Sequence, residues 1–430
     1  MRCVVSSFGS AGDLLPSLAV GAALRRRGHE VQLVANPFYA SRARHAGLPL
    51  VPAGDRFDVF AAIERQPAYA DAARAARLLR DFVAPDTAAV YPVVGDLLRS
   101  AEVDVVVAND VAFGALWAAA ERGVPSVLVH ATPALWVSGR APLVFADSRL
   151  AALLVRPLSA VAPRVLAFVM TRFLRQLGRR VGVKLADVSF TASLGTAALR
   201  LGLWSPLLRG RVAGDPANGV ICGFARASAL GGEAAGLPAE IDSFLDGGPA
   251  PVVVGFGSAF SLVAGPILIA IAEACVELDR RCLVVGHPAG AKFPSNTLAV
   301  PYAPYDRVFP RAAAVVVHAG AGTTGEALRC GKPVIGVPFA FDQFTLCAAI
   351  AALGAGVRVP LAARSARDFT AIVRRVLADE ALRARASESG RRFSAEADGA
   401  ETAADAIEDL VARREMRGDR ESPGRRGSSP

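Results

Sequence analysis

The sequence predicts an α/β protein made of two doubly wound domains, each a parallel sheet with helical crossovers. Short β-branched runs alternate with Ala-, Leu- and Arg-rich helical stretches, which is the pattern of parallel strands joined by helices. The alternation stops near the middle of the chain and then resumes. The length, 430 residues, exceeds what one compact core usually holds.

The first half opens on "RCVVSSF", continues through a helical stretch at 18–27, and then gives "EVQLVA", "VDVVVAN" and "PSVLVHA". The rhythm breaks over 140–184, where apolar residues and arginines mix with Pro157 and Pro163, and it resumes at "GVICGF". Residues 1–225 are read as the N-terminal domain and the Ala/Gly-rich stretch 226–248 as a linker. The second half repeats the alternation with "PVVVGFGS", "RCLVVGH", "AVVVHAG", "PVIGVPF" and "AGVRVP", so residues 249–395 form a second domain. Its helical pattern runs over 368–392. Residues 396–414 are expected to form a final helix crossing back to the first domain, and 415–430, rich in Arg, Gly, Ser and Pro, a disordered tail. The uncharged run 247–272 reads as strand, turn and helix, because prolines and glycines interrupt it where a membrane span would be continuous.

Hydrophobic residues make up 53% of the chain and charged residues 20%, which fits a folded globular protein. The net charge of +9 is carried mostly by arginine. It suits an anionic ligand or an anionic membrane face; no basic stripe interleaved with aromatics points to nucleic acid. The chain enters a strand pattern at once, without a secretory leader, so a cytoplasmic protein is expected, with peripheral contact at the inner membrane face. The six cysteines show no C-x-x-C pair and no histidine at ligand spacing, and they read as reduced, buried thiols.

The chemistry concentrates in "HAGAGTTGEALRCGKPVIGVPFAFDQF", residues 318–344. His318 ends a strand, and in doubly wound folds ligands sit beyond the carboxyl ends of strands. The glycine-rich turn lets backbone N–H groups approach a ligand closely. Thr323 and Thr324 can cap the helix that starts there, whose N-terminus favours an anion. A diphosphate is the predicted ligand. Gly320, Gly322 and Gly325 match the dinucleotide spacing G-x-G-x-x-G, but on a late strand of the domain and without an acid closing the next one; Gly331-Lys332 precedes Pro333, which excludes a P-loop. Gly257 and Ser258, after "PVVVGF", face the same crevice, where Ser258 can offer a hydroxyl to a phosphate. Plainer readings remain beside these: a strand-end histidine, an ordinary βα turn, a core tyrosine at 302, a solvated Glu326 and a capping Asp342.

The ordered series from Tyr302 to Gln343 resembles the donor-binding signature of family-one glycosyltransferases. It comprises "YAP", the His-x-Gly turn, Glu326, Gly-Lys-Pro before a strand, and a closing Asp-Gln. The resemblance implies the GT-B fold, in which two Rossmann-like domains face each other across a cleft and the second binds a nucleotide diphosphate sugar. It implies that Tyr302 stacks on the base, that His318 and Thr323 meet the diphosphate, that Glu326 bonds the ribose, and that Asp342 and Gln343 bond the sugar. Tyr305 stands where the family often has Gln, and small residues replace the plant-type Trp-Asn pair. The chain therefore resembles the bacterial antibiotic, sterol and rhamnolipid enzymes, the rhamnosyltransferase type above all.

Transfer to a hydroxyl needs a base. "SSFGSAGDLLPSL" puts Asp13 in the loop before the first helix, either as base or as helix cap. Asp110, ending "VDVVVAND", is the candidate second carboxylate that would raise its pKa, and His130, ending "PSVLVH", is a third rim candidate. With no D-x-D run, neither metal nor cofactor is expected; inversion at the anomeric carbon is implied by the resemblance. The segment 140–184 reads as the lining of a groove for an apolar or lipid-like acceptor, as a membrane-surface helix, or as an ordinary amphipathic pair. A sugar-nucleotide epimerase and a non-catalytic sugar-nucleotide-binding partner of another transferase are the alternatives.

Overall fold

In the first half, apolar runs, fully buried in β4 and β5, pair in parallel: β1 (Arg2–Ser6), β2 (Glu30–Ala35), β3 (Leu50–Pro52), β4 (Val105–Asn109), β5 (Ser126–His130), β6 (Leu199–Gly202) and β7 (Gly219–Ile221). A second parallel sheet holds β8 (Val252–Gly255), β9 (Cys282–Val285), β10 (Thr297–Val300), β11 (Ala314–Val317), β12 (Val334–Gly336) and β13 (Gly356–Arg358). This computed structural model describes residues 1–58, 62, 77, 79–133, 136, 167–226, 230, 236–262, 264–340 and 342–418. The strand orders are β3-β2-β1-β4-β5-β6-β7 and β10-β9-β8-β11-β12-β13.

The labelled crossover and terminal helices are α1 (Ala11–Arg26), α2 (Ala84–Ser100), α3 (Phe113–Arg122), α4 (Ala239–Asp246), α5 (Gly265–Glu277), α6 (Ala321–Arg329), α7 (Gln343–Ala352), α8 (Ala366–Ala378), α9 (Glu380–Ser394) and α10 (Gly399–Gly418). Helix α1 starts seven residues before its apolar pattern suggests. Asp13 therefore lies in its first turn and not in the preceding loop, because Ser10 and Asp13 together cap that end. Helix α4 lies inside the stretch read as linker; its Ile241 and Leu245 are buried in the core of the second domain. Helix α10 extends to Gly418, so the first four residues of the expected tail are helical, and 419–430 lie outside the described residues. Of the proposed acceptor segment, 140–166 lie outside them as well, while residues 167–181 are helical.

Buried residues of the first sheet form one core with Ala400, Ala403, Ala404, Ile407 and Val411 of α10. The final helix thus returns to the first domain. Arg26 and Arg27 at the end of α1 bind Glu401, and Arg27 also binds Asp405 and Glu408. The chain passes between domains at Gly223 and Gly399, which touch: a Cβ on Gly399 would lie 2.1 Å from the Gly223 carbonyl oxygen. Trp136 and Trp204, packed edge to face at 4.8 Å, join Phe224 in the cluster that contains Val317, Ala319 and Ala327 of the second domain.

Candidate active site

Each sheet reverses its strand order once, between β1 and β4 and between β8 and β11. Loops leaving neighbouring strands in opposite directions open a crevice there. Asp13 follows β1, Asp110 follows β4, Gly257 follows β8 and His318 follows β11. The sequence-predicted residues therefore gather at two switch points, and the two rims meet: the Ala11 N–H donates to the Ser258 hydroxyl across the cleft at 3.3 Å.

The Asp13 carboxylate accepts from both the backbone N–H and the hydroxyl of Ser10, each at 2.8 Å. Cap and cleft residue are thus one side chain. Asp13 keeps an open face to solvent, yet protein crowds it within the crevice, and this pushes its carboxyl up to about 6. The Ser10 bonds oppose that shift; the charges of Asp110 and Asp342 reinforce it. The loop is tied down by Asn109, whose amide brackets Phe8 through its N–H at 3.5 Å and its carbonyl at 2.7 Å, and by the Tyr39 hydroxyl, which donates to the Gly9 carbonyl at 2.7 Å. Gly9 is required there: its φ is +126°, and a Cβ would strike the Asp13 carboxylate at 2.5 Å.

Asp110 lies 2.5 Å from His130 Nδ1, off the axis of an aligned hydrogen bond. It faces Arg200 as well. The His130 side chain is 1% exposed and packs edge-on to Trp136 at 5.9 Å. The ring thus stands behind Asp110, away from solvent.

On the second domain, His318 is buried between two glycines that leave it room. A Cβ on Gly257 would come within 2.9 Å of the ring, and one on Gly320 within 2.4 Å. Phe260 packs beside it at 5.5 Å. Burial pushes the imidazole down to about 4. At neutral pH it is uncharged, so it offers a ligand a hydrogen bond and not a positive charge. Ala319 takes φ +62°, a conformation sparse for a residue with a side chain and frequent at ligand sites. It turns the chain so that Gly320 becomes the N-cap of α6. Thr323 and Thr324 lie inside the helix and do not cap it; Thr324 is fully buried with an unpaired hydroxyl. Nothing lies within 4 Å of the Cβ position of Gly322, which leaves the first turn of α6 open.

Tyr302 is 75% exposed, which removes the reading of it as core. Tyr305, which no motif had singled out for the site, stacks on Phe309 at 4.5 Å, and its hydroxyl accepts from the Gly257 N–H at 3.3 Å. Its signal was the second aromatic of "YAPY". The Glu326 carboxylate pairs with Arg329 one turn later. Asp342 makes no capping bond to α7. It meets the Thr132 hydroxyl of the first domain instead, and burial pushes its carboxyl above the ordinary range. Gln343 is 3% exposed, and its carbonyl accepts from the N–H groups of Phe339 and Ala340 at 2.7 and 3.1 Å. Only its amide nitrogen is left for a ligand.

Two parallel-sheet domains whose switch points meet across one cleft have the GT-B fold of solved glycosyltransferases. Residues 270–410 match the family of the erythromycin biosynthesis protein CIII-like C-terminal domain. The chain is 37% identical over 172 residues to O-mycaminosyltylonolide 6-deoxyallosyltransferase of Streptomyces fradiae, an alignment covering 40% of each protein. It is 29% identical over 439 residues to an uncharacterized glycosyltransferase of Mycobacterium tuberculosis, covering 96% of this chain and all of that one. The solved glycotransferase of kitacinnamycin superposes with a TM-score of 0.71 at 22% identity, covering 95% of this chain and 99% of the other. The second domain is thus similar to the antibiotic glycosyltransferases, and the whole chain is similar to the mycobacterial glycosyltransferase.

Proposed function

We propose that the protein is an inverting, metal-independent transferase that moves a hexosyl or deoxyhexosyl group, L-rhamnose before others, from a nucleotide diphosphate sugar to a hydroxyl of an apolar or lipid-like acceptor. The carrying observation is the contact of Ala11, two residues before Asp13, with Ser258, which brings the Asp13 rim to the rim of Gly257, Ser258 and His318 across one cleft. Asp13 accepts the proton of the acceptor hydroxyl. The oxygen then forms its bond to the anomeric carbon from the face opposite the diphosphate, while the bond from that carbon to the diphosphate oxygen breaks and its electron pair leaves with the nucleotide. The leaving charge is met by the open N–H groups of α6, the Ser258 hydroxyl and the neutral His318 ring. Asp342 accepts from the sugar hydroxyls and the Gln343 amide donates to them, while Tyr302 presents its bare ring to the base. Glu326 is assigned to the ribose, where it shares its carboxylate with Arg329.

The preference for rhamnose rests on the resemblance to the rhamnolipid-type enzymes, and the deoxysugar in the name of the Streptomyces fradiae relative agrees with it. Contact with an anionic membrane face belongs to the same reading, supported by the net charge of +9 and by Phe168 and Val169, exposed by 66% and 48%. Among the described residues no helix is long and apolar enough to cross a membrane.

A thermal-shift series with UDP, dTDP, GDP and NAD tests the donor class, because a ligand of the folded state raises the melting temperature. A nucleoside diphosphate, dTDP foremost, is expected to stabilise; a shift with NAD alone would reject the reading. Release of nucleoside diphosphate only when an alcohol is present distinguishes transfer from epimerisation. Turnover of UDP-glucose but not of dTDP-L-rhamnose would overturn the choice of sugar.

A further inference from the structure

Asp86 is the buried carboxyl for which the proposed reaction has no use. It is 8% exposed, and among the described residues it has no hydrogen-bond or ion-pair partner. It stands in the first turn of α2, a crossover helix entering β4, so that its first turn lies at the carboxyl edge of the sheet, the edge that also carries Asp13. Close packing fixes that turn: a Cβ on Gly114 of α3 would lie 2.6 Å from the Thr87 carbonyl oxygen and 2.8 Å from the Tyr91 nitrogen.

The surroundings are aromatic. Phe82 precedes Asp86 by one turn, and Phe57, 38% exposed, packs on Phe82 at 5.3 Å. Tyr39 lies between Asp86 and Asp13, close enough to feel both charges, and packs on Phe38 at 5.3 Å. Among the described residues no cation pairs with the carboxyl. Arg42, whose charge Tyr39 also feels, has Tyr39, Tyr302 and Asp58 among its electrostatic neighbours. Burial alone pushes Asp86 up to about 8, as expected of an acid denied both water and a counter-charge. The group that would satisfy such a place brings a positive charge and an apolar skirt, which aromatic faces also attract.

We propose that Asp86, with Phe57, Phe82 and Tyr39 beside it, is a recognition site for an ammonium group carried by the acceptor, apart from the hydroxyl that receives the sugar. The assignment to the acceptor rests on the transferase reading above; the cation site itself does not. The test titrates choline and its uncharged isostere 3,3-dimethylbutan-1-ol into the dTDP-saturated protein by ligand-observed NMR. Choline should bind at least tenfold tighter than the isostere, and Asp86→Asn, which keeps the shape and removes the charge, should erase the difference while leaving dTDP affinity unchanged. Equal binding of the two probes, or a choline preference that survives Asp86→Asn, would overturn the proposal. Should that variant not fold, the wild-type pair decides alone, since the probes differ in charge and not in form. Selective choline binding by a protein that ignores dTDP would sink the donor reading and not this one.

Discussion

Replacing Asp13 by Asn separates its two jobs. Asparagine keeps a carbonyl oxygen for the Ser10 N–H and hydroxyl, and it ranks near aspartate at helix starts, so the end of α1 should persist. What disappears is the ability to take a proton. A positioned base is worth roughly 10²- to 10⁴-fold, so kcat should fall by at least about two orders of magnitude with donor Kd unchanged. The wild-type pH profile supplies a second reading. The active form is the carboxylate, and with the group raised to about 6 it is present above that pH and lost as pH falls through it. At pH 7 roughly nine-tenths is ionised, and below 6 kcat/KM should drop about tenfold per unit. The folding sign is the reverse: an acid whose folded pKa exceeds the unfolded 3.8 disfavours the fold at neutral pH, so Asp13→Asn should melt no lower at pH 7. Release of nucleoside diphosphate with an alcohol acceptor, followed from pH 5 to 8, reads both effects. Near-normal turnover in the variant, or an acid limb that the variant retains, would refute the base assignment and pass the role to Asp110.

Three other outcomes are expected. His318→Ala should weaken dTDP binding roughly 10- to 150-fold, the worth of one hydrogen bond to a charged group; because the ring is neutral, wild-type affinity should not change between pH 6 and 8 on its account, and a loss that tracks a titration near 6.5 would contradict this. Tyr302→Ala should cost about 1–3 kcal/mol of dTDP affinity, one stacked base, and leave the melting temperature in place, which calorimetry and a thermal scan together check. Arg27→Ala should lower the melting temperature by a few degrees, with the gap to wild type narrowing in high salt, because its three carboxylate partners are partly exposed.

Among the strands legible in the sequence, the plainest carry an unbroken valine run, such as "VVV" in β4, β8 and β11. Strands β3, β6 and β10 were not legible, because "LVP", "LRLG" and "TLAV" are short and sit at or near sheet edges, where burial is incomplete. The donor side could be read because its parts are contiguous: strand, glycine turn, helix, strand and Asp-Gln fall within residues 318–344. The other rim is assembled from Asp13, Asn109, Asp110, Tyr39 and Thr132, brought together only by the sheet order. Two local environments were hidden for one reason, that side-chain direction is invisible in a linear pattern. His130 turns into the aromatic core, and Gln343 spends its carbonyl on its own loop. The neutrality of His318 followed from burial that no spacing announces.

Because α10 completes the core of the first domain, the order of synthesis and the order of completion differ. The first sheet leaves the ribosome long before the helix that covers it, and everything from β8 to α9 must emerge in between. During that interval the alanine- and leucine-rich side of α1 stays uncovered, a sticky surface of the kind that chaperones engage. A nascent first domain is therefore an unfinished object, and cutting the chain before residue 399 would harm the half that was made first.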